Sequence, residues 1–242
     1  MSQVKNISGV ETKSLFSQKL HDDTFGPTGL WQLANGAIGT DSIGSATLTQ
    51  DATHGAATQV GGYTPTNQAL QDFIYWRNDA ADFQYTGAMS FACMFKATSY
   101  THSGISDNYY RIVINGRGGV TDDRFGFYFN PTGYLYYAHK NALVIYSLTL
   151  SELHYDLYRW HHLAFTRDSA GTKITVYMDG AQIHQSTLAS AAGTTGTTYF
   201  NLGGMNGYNG GAYDGITQAT CVLFDKELSS GQIEVLAARC LV

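Results

Sequence analysis

Carboxylate side chains can break a glycosidic bond, and the only glutamates of the chain are Glu11, Glu152, Glu227 and Glu234. Hydrolysis of that bond needs two carboxyl groups that face the sugar from opposite sides of the reacting bond. None of the four lies in a predicted strand with a second acid at alternate spacing. The chain also lacks the G-x-S-x-G turn of serine hydrolases and the Cys/His spacing of zinc sites. We therefore predict a non-enzymatic protein with no catalytic and no metal-binding residues.

Two adjacent histidines, His161 and His162, are candidates for metal binding or proton transfer. Residues 160–166 have the pattern of a strand, and neighbouring side chains of a strand point to opposite faces. The two imidazoles therefore cannot hold one metal ion together. We predict that His162 is a hydrogen-bonded histidine of the protein interior.

A glycine-rich segment, residues 203–214, contains the candidate binding residues. It lacks the Lys-Ser/Thr pair of a phosphate-binding loop, so a nucleotide site is not predicted. Tyrosine and asparagine side chains on such a loop can contact a sugar or a neighbouring subunit. A long turn whose tyrosines cover one end of the domain explains the same composition. The residues predicted to contact a ligand or partner are Asn206, Tyr208, Asn209, Tyr213 and Asp214.

Short apolar runs separated by turn signals predict an all-β sandwich or barrel. In residues 124–130 phenylalanines occupy alternate positions and are predicted to face the core. Asp179-Gly180 predicts a two-residue hairpin turn. A capping box at Ser229 starts the one predicted helix, which ends at Cys240. The predicted strands span residues 88–97, 111–115, 124–130, 134–139, 160–166, 173–179, 181–185, 198–202 and 218–224.

No repeat or linker divides the chain, so one domain is predicted over residues 28–242. Residues 1–27 have mixed polarity and no clean period, and they are predicted to form an N-terminal arm or docking segment. No signal peptide and no membrane helix is predicted, because no apolar run has the required length and flanks. Free thiols are predicted for Cys93, Cys221 and Cys240, while a bond between the last two stays open.

Charged residues make up 14 % of the chain, against about 25 % in typical soluble domains. The formal net charge is −5 and the basic residues are scattered, which argues against nucleic-acid binding. Tyrosine (17) and glycine (27) are abundant. This composition indicates strands, turns and uncharged contact surfaces.

Residues 160–166 read WHHLAFT and residues 176–180 read VYMDG, with a turn between them. This pair resembles the central hairpin of laminin-G-like and pentraxin-type domains in the concanavalin A-like lectin/glucanase superfamily. The segments GLW at 29–31 and SFACMFK at 90–96 resemble earlier strands of the same family. The resemblance covers residues 28–240. It implies a two-sheet antiparallel jelly-roll sandwich with one short C-terminal helix.

The resemblance does not extend to a calcium site. Some members of the family bind calcium through acidic residues that follow the glycine matching Gly215. In this chain Ile216, Thr217 and Gln218 stand there instead. We therefore predict no cofactor and leave calcium open.

A second resemblance offers an enzymatic alternative. Jelly-roll alginate lyases carry Q-I-H and Y-F-K-A-G segments, and here Gln182-Ile183-His184 is followed by Tyr199-Phe200. That resemblance implies His184 as base, Tyr199 as acid and Gln182 as a group that neutralises a uronate. The lysine of the second segment and an R-x-E-x-R strand are missing. We therefore prefer a return strand in which His184 faces solvent.

The predicted function is that of a non-enzymatic structural or binding protein. Low charge, loops rich in Tyr, Gly and Asn, and an arm before the sandwich fit a virion decoration, head-fibre or tail-associated component. The predicted partners are other structural proteins and copies of the same chain, and the alternative is a lectin-like module that binds surface glycans. Membrane insertion is not predicted. The predicted location is a virion or extracellular surface after synthesis in a cytoplasm.

Overall fold

The structure of the chain is a computed structural model. It describes residues 25–33, 43, 49–50, 74–78, 85–97, 110–116, 125–129, 134–139, 142–149, 157–189, 191, 198–202 and 216–240. Within these residues no helix combines the length and the apolar character that crossing a bilayer requires.

The described residues form thirteen strands and one helix, numbered in chain order. The strands are β1 (Gly29–Gln32), β2 (Thr49–Gln50), β3 (Ile74–Asn78), β4 (Met89–Ala97), β5 (Tyr110–Gly116), β6 (Phe125–Phe129), β7 (Tyr134–His139), β8 (Ala142–Thr149), β9 (Trp160–Arg167), β10 (Lys173–Met178), β11 (Ala181–Thr187), β12 (Thr198–Leu202) and β13 (Ile216–Phe224). The helix is α1 (Ser230–Cys240).

The described strands pair into two antiparallel sheets. The first sheet has the order β1-β13-β4-β9-β10-β11 and the second has the order β2-β3-β12-β5-β6-β7-β8. In both sheets strands that are distant in sequence are neighbours, as in a jelly roll. The predicted all-β jelly-roll sandwich with one short C-terminal helix is confirmed. The structure adds β2, β3 and β8 to the predicted strands.

Phe165 on β9 lies at the centre of the main core, between the two sheets. Its ring centre is 6.0 Å from that of Phe91 on the same sheet. It is 5.3 Å from the ring centres of Phe127 and Tyr137 on the other sheet. The alternating phenylalanines of β6 are buried in this core, as predicted. Burial of one such side chain contributes about 2 to 3 kcal/mol, so these rings hold the sheets face to face.

The outer face of the first sheet is covered by α1. The predicted capping box is present, because the Ser229 N–H donates to Oε1 of Gln232 at 2.8 Å and the Gln232 N–H donates to Oγ of Ser229 at 3.3 Å. Ile233 and Leu236 of the helix pack with Tyr177 of β10 in a second apolar cluster. The first sheet is therefore buried on both faces beneath the helix.

The end of the predicted N-terminal arm packs on the same helix-covered face. Phe25 is buried in the second apolar cluster, and the guanidinium of Arg239 lies 5.7 Å from its ring centre. Gly26 has a φ of 51°, a conformation that glycine adopts without steric cost. This turn leads the chain from Phe25 into β1.

Arg167, at the end of β9, is fully buried between the sheets. Its Nε donates to the carbonyl of Gly87 at 2.8 Å, and its Nη2 donates to the carbonyl of Tyr85. Its Nη1 donates to the hydroxyl of Tyr137 on β7 at 3.4 Å. Arg167 therefore joins the segment before β4 to both sheets.

Candidate functional site

The hairpin that carries the Trp-His-His and Asp-Gly motif is held closed by Asp179. Its Oδ2 lies 2.8 Å from Nδ1 of His161, and its Oδ1 accepts the backbone N–H of His162 at 2.7 Å. The Asp179 N–H in turn donates to the carbonyl of His162 at 2.7 Å. Asp179 and Gly180 have φ values of 50° and 86°, as a two-residue hairpin turn requires. Both carboxylate oxygens are therefore engaged in fixing the turn to β9.

The two histidines of the motif lie on opposite faces of the first sheet, as predicted. The ring centre of His161 is 5.9 Å from that of Phe95, on the main-core side. His162 lies on the helix-covered side, where burial lowers its pKa from 6.5 to about 4 and the Asp179 carboxylate opposes this effect. The prediction of an interior histidine is confirmed. The predicted side-chain hydrogen bond is missing at Nδ1, which has no partner among the described residues.

This arrangement fixes the hairpin. Within the described residues no group of three or more His, Cys, Asp or Glu could hold a metal ion. Glu227 lies at the surface, 3.5 Å from Nζ of Lys173, and Glu234 is exposed on α1. These two glutamates lie outside the strands, so neither belongs to a carboxylate pair on a sheet face.

The position where some relatives carry calcium-binding acids does not fit calcium in this chain. Thr217 and Gln218 of β13 are buried, and the Gln218 Nε2 donates to the carbonyl of Ile112 on β5 at 3.0 Å. Residues 216–224 contain no carboxylate. The Gln218 side chain therefore ties the two sheets together across the main core.

The residues of the lyase-like segments are not brought together. A register shift pairs Gln182 with Tyr177 but His184 with Val176. Val176 belongs to the main core and Tyr177 to the helix-covered cluster, so Gln182 and His184 lie on opposite faces of β11. Tyr199 lies on β12, in the other sheet. His184 is half-buried rather than solvent-facing, and burial lowers its pKa.

The predicted contact residues of the 203–214 segment lie outside the described residues and stay a prediction. They are Asn206, Tyr208, Asn209, Tyr213 and Asp214.

Residues 157–160, which lead into β9, form an exposed surface that we call the rim segment. Among the described residues Tyr158 is 69 % exposed and Leu157 is 37 % exposed. Tyr158 has a φ of 67°, and its N–H donates to the carbonyl of Ala97 at 2.7 Å. A left-handed conformation costs a non-glycine residue about 1 to 3 kcal/mol and persists only where the surrounding structure imposes it. The rim segment therefore holds an exposed aromatic residue on a defined backbone.

Positive charge accompanies this aromatic surface. Lys96 on β4 and Trp160 on β9 are direct partners in the strand register, and the Lys96 Nζ lies 5.1 Å from the centre of the Trp160 ring. Arg159 is exposed beside them. No sequence motif predicts this surface. The one feature of the sequence that could have indicated it is the mixed apolar and basic run at residues 157–159, directly before WHHLAFT.

The fold and the Asp179 turn agree with a known family. A sequence profile described as the Concanavalin A-like lectin/glucanases superfamily, of the laminin-G type, matches residues 67–234. This match spans more than half of the chain, so the chain belongs to the laminin-G-like family of that superfamily. Among curated protein sequences no match is found.

Solved structures share the fold at low sequence identity. Trypanosoma rangeli sialidase in complex with 2,3-difluorosialic acid is 15 % identical, with a TM-score of 0.63 over 95 % of this chain and 38 % of that chain. The receptor-binding domain of botulinum neurotoxin mosaic serotype C/D is 14 % identical, with a TM-score of 0.64 over 88 % of this chain and 50 % of that chain. The botulinum neurotoxin serotype D binding domain is 13 % identical, with a TM-score of 0.61 over 90 % and 52 %. This chain spans about half or less of the length of these proteins.

Proposed function

We propose that this chain is a non-enzymatic binding domain that mediates protein–protein assembly or surface adhesion. The observation that carries this proposal is the rim segment, where a constrained backbone leaves Tyr158 69 % exposed. A tyrosine held in this way offers a large apolar area and one polar end, at a low entropic cost on contact. In the adjoining strand and turn, His161 and Asp179 are hydrogen-bonded to each other.

We further propose that the assembly is a virion, in which the chain serves as a decoration, head-fibre or tail-associated component. The low charge of the chain, 14 %, and its 17 tyrosines support this role. Strand β11 supports it as well, because among the described strands it is the last of the first sheet, and its sequence AQIHQST carries no Asp, Glu, Lys or Arg. An uncharged sheet edge is open to pairing with another chain. Its partners would be other structural proteins and copies of itself, at a virion or extracellular surface.

A lectin-like role is the second candidate, and the charge beside the rim segment favours it. The Lys96 Nζ lies over the Trp160 ring, and Arg159 stands between Tyr158 and Trp160 in the chain, so the surface combines aromatic rings with positive charge. Rings stack on sugars, and a lysine or arginine forms strong hydrogen bonds with a carboxylate. The superfamily description includes lectins, and one similar structure is a receptor-binding domain.

Assembly is tested by size-exclusion chromatography with light scattering on the purified full chain. We expect a concentration-dependent oligomer that Tyr158→Ala weakens about tenfold or more. The matched control is Val235→Ala, which removes another exposed apolar side chain, 39 % exposed on α1, and should leave the oligomer unchanged. A monomer at every concentration, together with no glycan binding, would contradict the proposal.

Adhesion is tested on an array of neutral and acidic glycans. If the lectin-like role is correct, acidic glycans bind, and Tyr158→Ala or Lys96→Gln removes the binding. Tyr208→Ala tests the predicted loop in the same experiment. The proposal that the chain is not an enzyme is tested by incubating it with alginate. A lyase would form an unsaturated product, whose ultraviolet absorbance increases with time. Such an increase, abolished by His184→Ala, would overturn the proposal.

A further inference from the structure

Two cysteines of the first sheet face each other across neighbouring strands. Cys93 on β4 and Cys221 on β13 are direct partners in the strand register. They are 2 % and 0 % exposed, both belong to the main core, and both are free thiols in the structure. We propose that this pair is an oxidation site, which forms a disulfide bond between β4 and β13 when the chain folds in the presence of a low-molecular-weight disulfide.

The backbone of β13 gives the first geometric support. The carbonyl of Leu223 accepts the N–H of Thr28, 2.8 Å away, on the β1 side of β13. In an antiparallel strand, residues two positions apart direct their backbone groups to the same neighbour. Cys221 therefore directs its N–H and C=O towards β1 and not towards β4.

The backbone of β4 leads to the same conclusion independently. The carbonyl of Ala97 accepts the N–H of Tyr158, on the β9 side of β4. By the same alternation Cys93 directs its backbone groups towards β9. The two cysteines therefore form a non-hydrogen-bonded pair, in which Cα atoms lie about 4.5 Å apart and the side chains are close. A disulfide needs Cα atoms about 4.4 to 6.8 Å apart, so the bond can form without moving the strands.

The alternative bond between Cys221 and Cys240 does not have this support. The Cys221 side chain faces the main core between the sheets. Cys240 ends α1, and the apolar residues of α1 pack on the opposite face of the same sheet. The backbone of the helix that ends at Cys240 therefore lies on the side of the first sheet away from the Cys221 side chain.

The reaction is a thiol–disulfide exchange. One cysteine thiolate attacks the small disulfide, forms a mixed disulfide and releases one small thiol. The second cysteine then attacks the mixed disulfide and releases the other small thiol. The two protein thiols lose two protons and two electrons in total, and the small disulfide takes them up. In the folded chain both thiols are buried and burial raises the pKa of Cys221, so the exchange occurs before β4 and β13 dock.

The bond would close a loop of about half the chain. The segment between Cys93 and Cys221 contains strands of both sheets, so the cross-link restricts the unfolded chain strongly. We expect the oxidised protein to melt roughly 10 °C above the reduced protein. A chain made in a reducing compartment would thus become more stable after folding outside it.

The test refolds the denatured full chain with either oxidised or reduced glutathione. Intact mass spectrometry should show the loss of two hydrogens after oxidative refolding, and peptide mapping should find Cys93 linked to Cys221. Cys240→Ala should keep both the link and the rise in Tm, whereas Cys93→Ala should abolish them. If Cys93→Ala does not fold, the unmodified chain with and without reductant gives the same comparison. A mapped bond from Cys221 to Cys240, or three free thiols after oxidative refolding, would overturn the proposal.

Discussion

The carboxylate of Asp179 and the imidazole of His161 form a hydrogen-bonded pair, 2.8 Å between Oδ2 and Nδ1, that joins the β10–β11 turn to β9. The side chain of His161 is 9 % exposed and that of Asp179 is 28 % exposed, so the pair is partly shielded from water. The Trp-His-His and Asp-Gly motif therefore fixes the hairpin between these strands.

Asp179→Ala is expected to lower the free energy of unfolding by about 3 kcal/mol, because it removes two acceptors and leaves alanine in a left-handed conformation. Asp179→Asn should cost about half as much, since asparagine tolerates that conformation and keeps one acceptor. Urea unfolding of both variants measures the difference. No loss in either variant would show that the turn does not depend on these contacts.

His162 makes stability depend on pH. Its pKa is about 4 in the folded protein and near 6.5 in the unfolded chain, so the unfolded chain binds more protons between these values. The contribution of His162 to the free energy of unfolding is therefore fully present above pH 6.5. It falls as the pH drops towards 4 and changes no further below pH 4. The loss should reach about 3 kcal/mol.

Unfolding measured from pH 7.5 to 3.5 in the parent chain and in His162→Leu checks this effect. Leucine cannot be protonated and leaves no unpaired nitrogen, so the dependence on pH should shrink by most of that amount. His184→Gln is the control, because His184 is only half-buried and its removal should leave most of the dependence in place. An unchanged slope in His162→Leu would contradict the assignment.

Arg167 should matter more for stability than the tyrosine it reaches. Arg167→Met is expected to cost about 3 kcal/mol, because the partly buried carbonyls of Gly87 and Tyr85 lose a charged donor. Tyr137→Phe should cost about 1 kcal/mol, since its contact with Arg167 is long at 3.4 Å. Chemical denaturation of the two variants gives the comparison, and a larger loss for Tyr137→Phe would refute it.

Two substitutions of Tyr158 should differ in stability but not in binding. Tyr158→Gly is expected to be about 1 kcal/mol more stable than Tyr158→Ala, because glycine adopts a φ of 67° without strain. Both variants should lose the oligomer or the glycan, since both lack the ring. Thermal unfolding and the binding assays on the same preparations test this. Retained binding in the stable glycine variant would exclude the rim segment as the contact surface.

Local patterns in the sequence predict the elements that depend on local physics. The alternating phenylalanines of β6, the Asp179-Gly180 turn and the capping box at Ser229 are all confirmed. Strand β8 is harder to predict, because Ala142–Thr149 is a nearly continuous apolar run without clear alternation. The rim segment has no motif, because a left-handed conformation at a tyrosine, such as that of Tyr158, has no sequence signature.

The amino-acid sequence by itself determined the all-β class, the turns, the helix cap and the family. Each of these depends on the types and the spacing of residues that lie near each other in the chain. Only the tertiary structure decided which distant side chains meet. The register shift in β11 separates Gln182 from His184, and the order of strands puts Tyr199 in the other sheet and Cys93 opposite Cys221. Strand order and register are set by the packing of all strands together, and a shift of one residue moves a side chain to the other face.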